Sequence, residues 1–261
     1  MRLWSQKQID QHKIAAEKLK IIKNEFANFI ATHPTIDELS CVKFIKNAYK
    51  KHGLTNDHKK EFAIVAFGES TKEVHYFPTA KINKRLSPGT LILLDIWARL
   101  DIKEAPYADT TFMLYFNSKS KSQSSKLQFK NNKLNKYQKI WKVLSKSRDN
   151  AINYIKKEIK KGRIPRGLDI DRVAHDVIGE AGLGRGIKHT IGHSLGFDSP
   201  HGKLPGINWR EYSPIQKNVG YTIEPGIYLE NFGMRTEIDF YVDNDDSMII
   251  TTPLQKEIEI I

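Results

Sequence analysis

A chain of 261 residues, 39% hydrophobic and 28% charged, is long enough to bury the core of one large domain, and no apolar run in it approaches the length that crosses a bilayer. The net charge of +12 comes from lysines spread along the whole chain, which reads as a solvated surface rather than a stripe for nucleic acid. One cysteine, Cys41, excludes an intrachain disulfide, and the residues after Met1 carry no apolar leader run, so a reducing, cytoplasmic setting is expected.

Over residues 5–31, Ala15, Leu19, Ile22, Phe26 and Phe29 recur at threes and fours and predict a helix. Thr35 and Glu38 have capping-box spacing for a second helix to about Tyr49, with Gly53 as its stop and Cys41 as a small core residue on it. Residues 62–67 form a short strand. Gly89 precedes residues 91–97, a near-continuous apolar run typical of a buried strand and broken only by Asp95; residues 110–116 form another. Residues 117–135 are rich in Ser, Lys and Asn and read as an exposed loop, and their one aromatic, Phe129, argues against a nucleic-acid surface. Two amphipathic helices follow, over 137–161 and 169–181, the second ending at Gly182. The spacing of Gly182, Gly184 and Gly186 is that of a helix end and turn, not of a phosphate loop. Residues 188–261 are mostly strands between Gly and Pro turns. The mixture argues α/β or α+β in one domain.

Five side chains stand out against this background: Asp95, Asp109, His193, Glu224 and Glu237. Each lies in or beside an apolar or β-rich run, where an unpaired charge is costly. Along residues 234–241 alternation puts Met234, Ile238 and Phe240 on one face and Arg235, Glu237 and Asp239 on the other. Taken alone that is an amphipathic strand with a solvated ion pair. Glu224, set in a β-rich run beside Pro225-Gly226, tips the balance towards a metal as the carboxylates' partner. His189 and His193 are four apart and share a face, with Gly192 and Gly196 leaving room for close backbone approach and a third histidine at His201. The HExxH pattern of zinc peptidases is absent. Thr111 shares a face with Asp109 and is a hydroxyl donor beside a ligand carboxylate. Four carboxylates with one imidazole suit a pair of divalent ions, manganese, cobalt, iron or zinc.

These motifs resemble those of the pita-bread metallopeptidases, the family of methionine aminopeptidase, aminopeptidase P and prolidase, over roughly residues 10–250. Leu94-Asp95 resembles the first bridging aspartate, Asp109-Thr110-Thr111 the second ligand motif, Gly192-His193 the ligand histidine, Glu224-Pro225-Gly226 the fourth motif and Arg235-Thr236-Glu237 the second bridging carboxylate. His75 resembles a substrate-pocket histidine, and His189 and His201 the two outer ones. The resemblance implies a curved, mostly antiparallel sheet with helices on its outer face. It implies two ions held by Asp95 and Glu237 together, by Asp109, and by His193 with Glu224. It further implies Glu224 as proton shuttle, His189, His201 and His75 around the substrate, and Arg235 steadying Glu237. Arg235-Thr236-Glu237 only thirteen residues after Glu224 is more like the prolidase and aminopeptidase P branch, so cleavage ahead of proline is expected. Methionine aminopeptidase is the runner-up; a metal-free hydrolase resembling creatinase and a non-catalytic peptide- or nucleic-acid-binding module are further alternatives. Peptides are the implied partners, a homodimer is compatible, and no membrane or nucleic acid is expected. Three departures stand out: Trp97 occupies a position usually held by Gly, the Asp95–Asp109 connection is long, and Pro200 is an extra residue before His201.

Overall fold

The computed structural model describes residues 3–56, 62–117 and 132–261. Helix α1 (Gln6–Thr32) starts at Ser5, whose side chain and that of Gln8 cap each other's backbone. Helix α2 (Glu38–Lys51) is capped by Asp37, which accepts the Ser40 N–H at 2.8 Å, so the expected Thr35–Glu38 box does not form. Glu38 has another task. It is fully buried and accepts from Phe67 N at 2.7 Å, Lys84 N at 2.7 Å and the Tyr76 hydroxyl at 2.6 Å. Gly53, at φ +63°, ends the segment as expected, and Cys41 is a buried core residue whose thiol burial pushes well above its usual range.

Strands β1 (Leu54–Thr55), β2 (Ala63–Phe67), β3 (Thr90–Leu100) and β4 (Ala108–Phe116) form one antiparallel unit, joined by β10 (Glu259–Ile260), which runs parallel to β4. β3 is longer than its apolar run and buried on both faces, and its period of two divides its work. Ile92, Leu94, Ile96 and Ala98 join Leu19, Ile22, Phe26 and Ile45 under α1 and α2. Leu91, Leu93 and Trp97 take the opposite face, and Asp95 sits between them in the alternation.

Helices α3 (Asn132–Lys160) and α4 (Gly167–Glu180) pack on each other and cover a second sheet, β5 (Gly220–Ile223), β8 (Ile238–Val242) and β9 (Met248–Ile250), through Ile155, Ile159, Ile170 and Ala174 against Tyr221, Ile223 and Phe240. Residues 132–135, expected in the exposed loop, open α3; the rest of that loop, 118–131, lies outside the described residues. Strands β6 (Gly226–Tyr228) and β7 (Gly233–Arg235) form a separate antiparallel pair. The expected strand over 234–241 is therefore two, in different sheets. The break falls at Thr236, where Arg148, a buried side chain of α3, donates to the Thr236 hydroxyl and the Gln255 carbonyl, each at 2.8 Å. Each half of the molecule thus carries a helix pair on its outer face. Among the described residues no helix is long and apolar enough to cross a membrane.

Removing the Glu38 carboxylate strands two amides and a phenol in the core. Glu38→Ala is expected to cost about 3 kcal/mol of unfolding free energy, read from urea denaturation with an unchanged m-value.

Candidate metal centre

The β3–β4 hairpin places the first two acidic groups. Register pairs Asp95 with Thr111 and Trp97 with Asp109, so all four side chains share the face turned away from α1 and α2. The long connection between Asp95 and Asp109 simply extends the hairpin and leaves this register intact. Two further elements bring the rest. Residues 191–193 lie alongside β5, with Thr222 N donating to His193 O at 2.9 Å and Glu224 N to Ile191 O at 2.6 Å, which sets His193 beside Glu224. Gly192 makes this approach feasible, because a Cβ there would lie 2.2 Å from the Thr222 carbonyl oxygen; Gly196 is as tightly placed against Ser199. Glu237 enters from the β7–β8 junction.

All five expected ligands line one cavity of about 160 Å³, together with Ile64, His75, Phe77, Trp97, Pro200, His201 and Arg235. One ligand atom from each of Asp109, His193 and Glu237 falls within 4.8 Å of the others. The His193 Nε2 lies 3.4 Å from Glu224 Oε1 and 3.8 Å from Asp109 Oδ2. Its Nδ1 donates to the Ser194 carbonyl at 3.0 Å, which leaves the Nε2 lone pair for the cavity. The carboxylates are steadied from behind. Arg235 donates a short, buried bond to Asp95 Oδ2 and a second at 2.9 Å to the Thr111 hydroxyl, which in turn donates to Glu237 Oε2 at 2.7 Å. Arg235 therefore holds Asp95 directly and Glu237 only through Thr111, and Thr111 serves Glu237 rather than Asp109. Asp109 is fixed through its backbone, whose N–H is accepted by the fully buried Asp239 at 2.8 Å. Glu224 accepts from Thr222 at 3.0 Å.

The outer histidines divide. His75 and His201 line the cavity, and the His201 ring lies 4.2 Å from that of His193, so the extra Pro200 does not remove it. His189 Nδ1 is 4.0 Å from Glu224 Oε2, but its ring atoms already meet the Thr190 carbonyl at 2.8 Å and the Tyr228 hydroxyl at 2.9 Å. Tyr228, Thr222 and His12 were not singled out by the sequence, and Asp239 was placed only on the polar face of its strand. His12 is fully buried on α1, donates from Nδ1 to the Tyr107 carbonyl at 2.9 Å, and meets the Thr251 hydroxyl at 2.7 Å, with Asp239 Oδ2 3.9 Å away.

Burial drives all four acids upward, and repulsion from neighbouring acids adds to it at Asp109, Glu237 and Glu224. Asp109 and Glu237 are held well above the carboxylate range and Asp95 above it, while Glu224 is pushed up to about 7 against the opposing pull of Arg235. Burial lowers His193 and His189 to about 3 and His12 to about 4, so their imidazoles are neutral. A neutral imidazole and carboxylates that resist ionising without a counter-charge are the donor set a divalent ion needs. Asp95 Oδ1, buried with no hydrogen-bond partner, is an oxygen left over for it. The residues fit the group.

A model of metallopeptidase family M24 matches residues 10–244, and the chain belongs to that family. Among curated relatives, an uncharacterized peptidase of Staphylococcus epidermidis is 27% identical over 217 residues, which is 83% of this chain and 53% of that protein. The chain thus spans about half the length of the curated relatives it matches. Among solved structures, an X-Pro aminopeptidase from Thermotoga maritima superposes with TM-score 0.77 at 24% identity, over 99% of this chain and 64% of that one. An Xaa-Pro dipeptidase from Bacillus anthracis gives 0.78 at 22% identity, with coverage of 99% and 64%. The fold is the α+β pita-bread architecture of those structures.

Gly192→Ala should push residues 191–193 off β5, lower metal affinity at least tenfold and lower the melting temperature, measured by isothermal titration and calorimetry. For pH, the raised acids mean that the folded, metal-free protein keeps protons the unfolded chain has lost, so stability falls as pH rises. The lowered histidines act oppositely, but only below their ordinary value of about 6.5. The melting temperature of metal-free protein is therefore expected to drop as pH rises from 6.5 to 8, Glu224 contributing until it ionises in the folded state near 7 and the more strongly raised Asp109 and Glu237 beyond that. Added manganese should recover more at pH 8 than at 6.5, with proton release visible as buffer-dependent binding heats.

Proposed function

We propose that this chain is a divalent-metal-dependent exopeptidase that removes an N-terminal residue ahead of proline. The observation that carries the reading is the convergence of Asp109, His193 and Glu237 within 4.8 Å, flanked in the same cavity by Asp95 and Glu224. Five such ligands would suit two divalent ions, held among Asp95, Asp109, His193, Glu224 and Glu237. When bound, divalent ions supply Lewis acidity and water of lowered pKa.

The chain's own residues do the remainder. The acid-lined cavity binds the substrate's free ammonium group, which selects for an N-terminus. Glu224, pushed up to about 7, is available near neutrality as the carboxylate that takes a proton from the attacking water at Oε2, the oxygen not bound by Thr222, and, once protonated, gives it to the leaving amine. His201 and His75 face the peptide within the cavity, and His201 stabilises charge developing on the carbonyl oxygen. His189, anchored to Tyr228, fixes the Glu224 side of the site. Phe77, Ile64 and Trp97 form an apolar wall that suits a pyrrolidine ring and excludes water. Cleavage at proline also draws support from the X-Pro and Xaa-Pro peptidases that share the fold. A cytoplasmic location accords with the single, buried cysteine.

The reading is tested with metal-stripped protein reloaded with manganese, cobalt or zinc and given Xaa-Pro, Xaa-Pro-Xaa and Met-Ala-Xaa peptides. Metal-dependent cleavage of the proline peptides is expected, the dipeptide and tripeptide separating prolidase-like from aminopeptidase P-like action. Release of methionine alone would move the protein to methionine aminopeptidase. Asp109→Ala should lose bound metal and at least 1000-fold in kcat/KM while keeping its circular dichroism spectrum; retained metal and activity would refute the site.

A further inference from the structure

A second cavity, of about 250 Å³, adjoins the one that holds the four acids and His193. The two meet at His201, the one described residue that lines both. His201 is exposed rather than buried between them. Trp4 and Leu195, 4% and 3% exposed, give the second cavity a buried apolar base, and the half-buried Phe197 and Leu204 extend its apolar lining. Asp198 and Lys203, both exposed and opposite in charge, give it no bias towards a charged side chain.

Backbone bonds preform its walls. Residues 195–204 fold back on themselves, Gly196 N donating to Pro200 O at 3.1 Å and Gly202 N to Ser194 O at 2.6 Å. Leu195 N is held on β5 by the Gly220 carbonyl at 2.8 Å. The Gly196 carbonyl accepts from Tyr107 N at 3.0 Å, and that of Leu204 from the Ser194 hydroxyl at 2.9 Å. Walls that already stand in place lose little freedom when a ligand settles against them.

Size and direction say what the space holds. Pockets for small molecules run to roughly 300–1,000 Å³. The metal-ligand cavity, at about 160 Å³, falls short of that range, and with the adjoining 250 Å³ it reaches it. In the exopeptidase reading the first residue of the peptide lies among the acids and its proline against Ile64, Phe77 and Trp97. Nothing precedes the first residue, so chain that continues past His201 lies beyond the scissile bond. We infer, building on that reading, that the second cavity is the subsite for the third residue of the peptide and takes an apolar side chain there. The preferred substrate is then a tripeptide or longer peptide, with proline second and an apolar residue third.

The test assays metal-loaded protein on Ala-Pro, Ala-Pro-Ala and Ala-Pro-Leu, with Leu-Pro-Ala as the control for the first residue. Ala-Pro-Leu is expected to exceed Ala-Pro-Ala roughly tenfold in kcat/KM, mainly through KM. Leu204→Trp fills the cavity and should abolish that preference, with Ala-Pro-Ala cleaved within twofold of wild type and metal stoichiometry unchanged. Leu204→Ala, a milder change, should reduce the preference about threefold. A readout without turnover uses a ketomethylene analogue of Ala-Pro-Leu that carries photoleucine as its third residue. Irradiated on the zinc-loaded protein, it should label Trp4 or residues 195–204. An active enzyme that cleaves Ala-Pro-Leu and Ala-Pro-Ala within twofold of each other, or label elsewhere in the chain, overturns the inference alone. So does a Leu204→Trp effect confined to Leu-Pro-Ala, which gives the cavity to the N-terminal side chain instead. Metal-loaded protein that hydrolyses no peptide and binds no analogue removes the exopeptidase reading and this inference with it.

Discussion

The Arg235 guanidinium is the interaction on which the rest of the centre depends. Four carboxylates line one buried cavity, and among its described lining residues Arg235 is the only Lys or Arg side chain. Burial of so many like charges is costly, and each acid responds by holding its proton. Arg235 offsets part of that cost for Asp95 through a direct bond and orders Glu237 through Thr111. It leaves one oxygen of Asp95 without a partner. The site is therefore incompletely neutralised by its own protein, and that deficit is what would give a divalent ion its affinity there.

The surface and the site carry opposite character. The chain as a whole has a net charge of +12, whereas the cavity concentrates acids. That cavity sets its four acids beside a neutral His193 and the apolar Ile64, Phe77 and Trp97.

How much of this was legible in the sequence depended on whether the cause was local. The five candidate ligands stood out because each interrupts an apolar or β-rich run, and a period of two assigned Asp109 and Thr111 to a common face, to which the hairpin register adds Asp95. The helices and both strands of that hairpin were legible for the same reason, although Thr35–Glu38 was misread as a cap. A capping box and a core carboxylate look alike over four residues; what separates them is that Phe67, Tyr76 and Lys84 converge on Glu38 from distant positions. The strand break at Thr236 was hidden because its alternation continues unbroken, and only Arg148, arriving from α3, marks the junction. The resemblance assigned Arg235 to Glu237, whereas the fold delivers its guanidinium to Asp95 across the site and to Glu237 only through Thr111. His12 gave no signal at all, since one imidazole on an amphipathic helix is unremarkable until its partners are known.

That histidine ties the first helix to the chemistry. Trp4 lies buried against Gly220, where a Cβ would collide with its ring, and its N–H is bound to the Asn218 carbonyl at 2.7 Å. Two turns into the helix, His12 reaches Thr251 and lies beside Asp239, the carboxylate that fixes the Asp109 backbone. The helix spans from the second sheet to the underside of the hairpin that carries Asp95 and Asp109, so its docking and the ordering of Asp109 share one free energy. Such a link runs both ways. An ion that tightened Asp109 would also slow the fraying of the N-terminal helix, and loosening Trp4 would weaken the hold on an ion that Trp4 never touches.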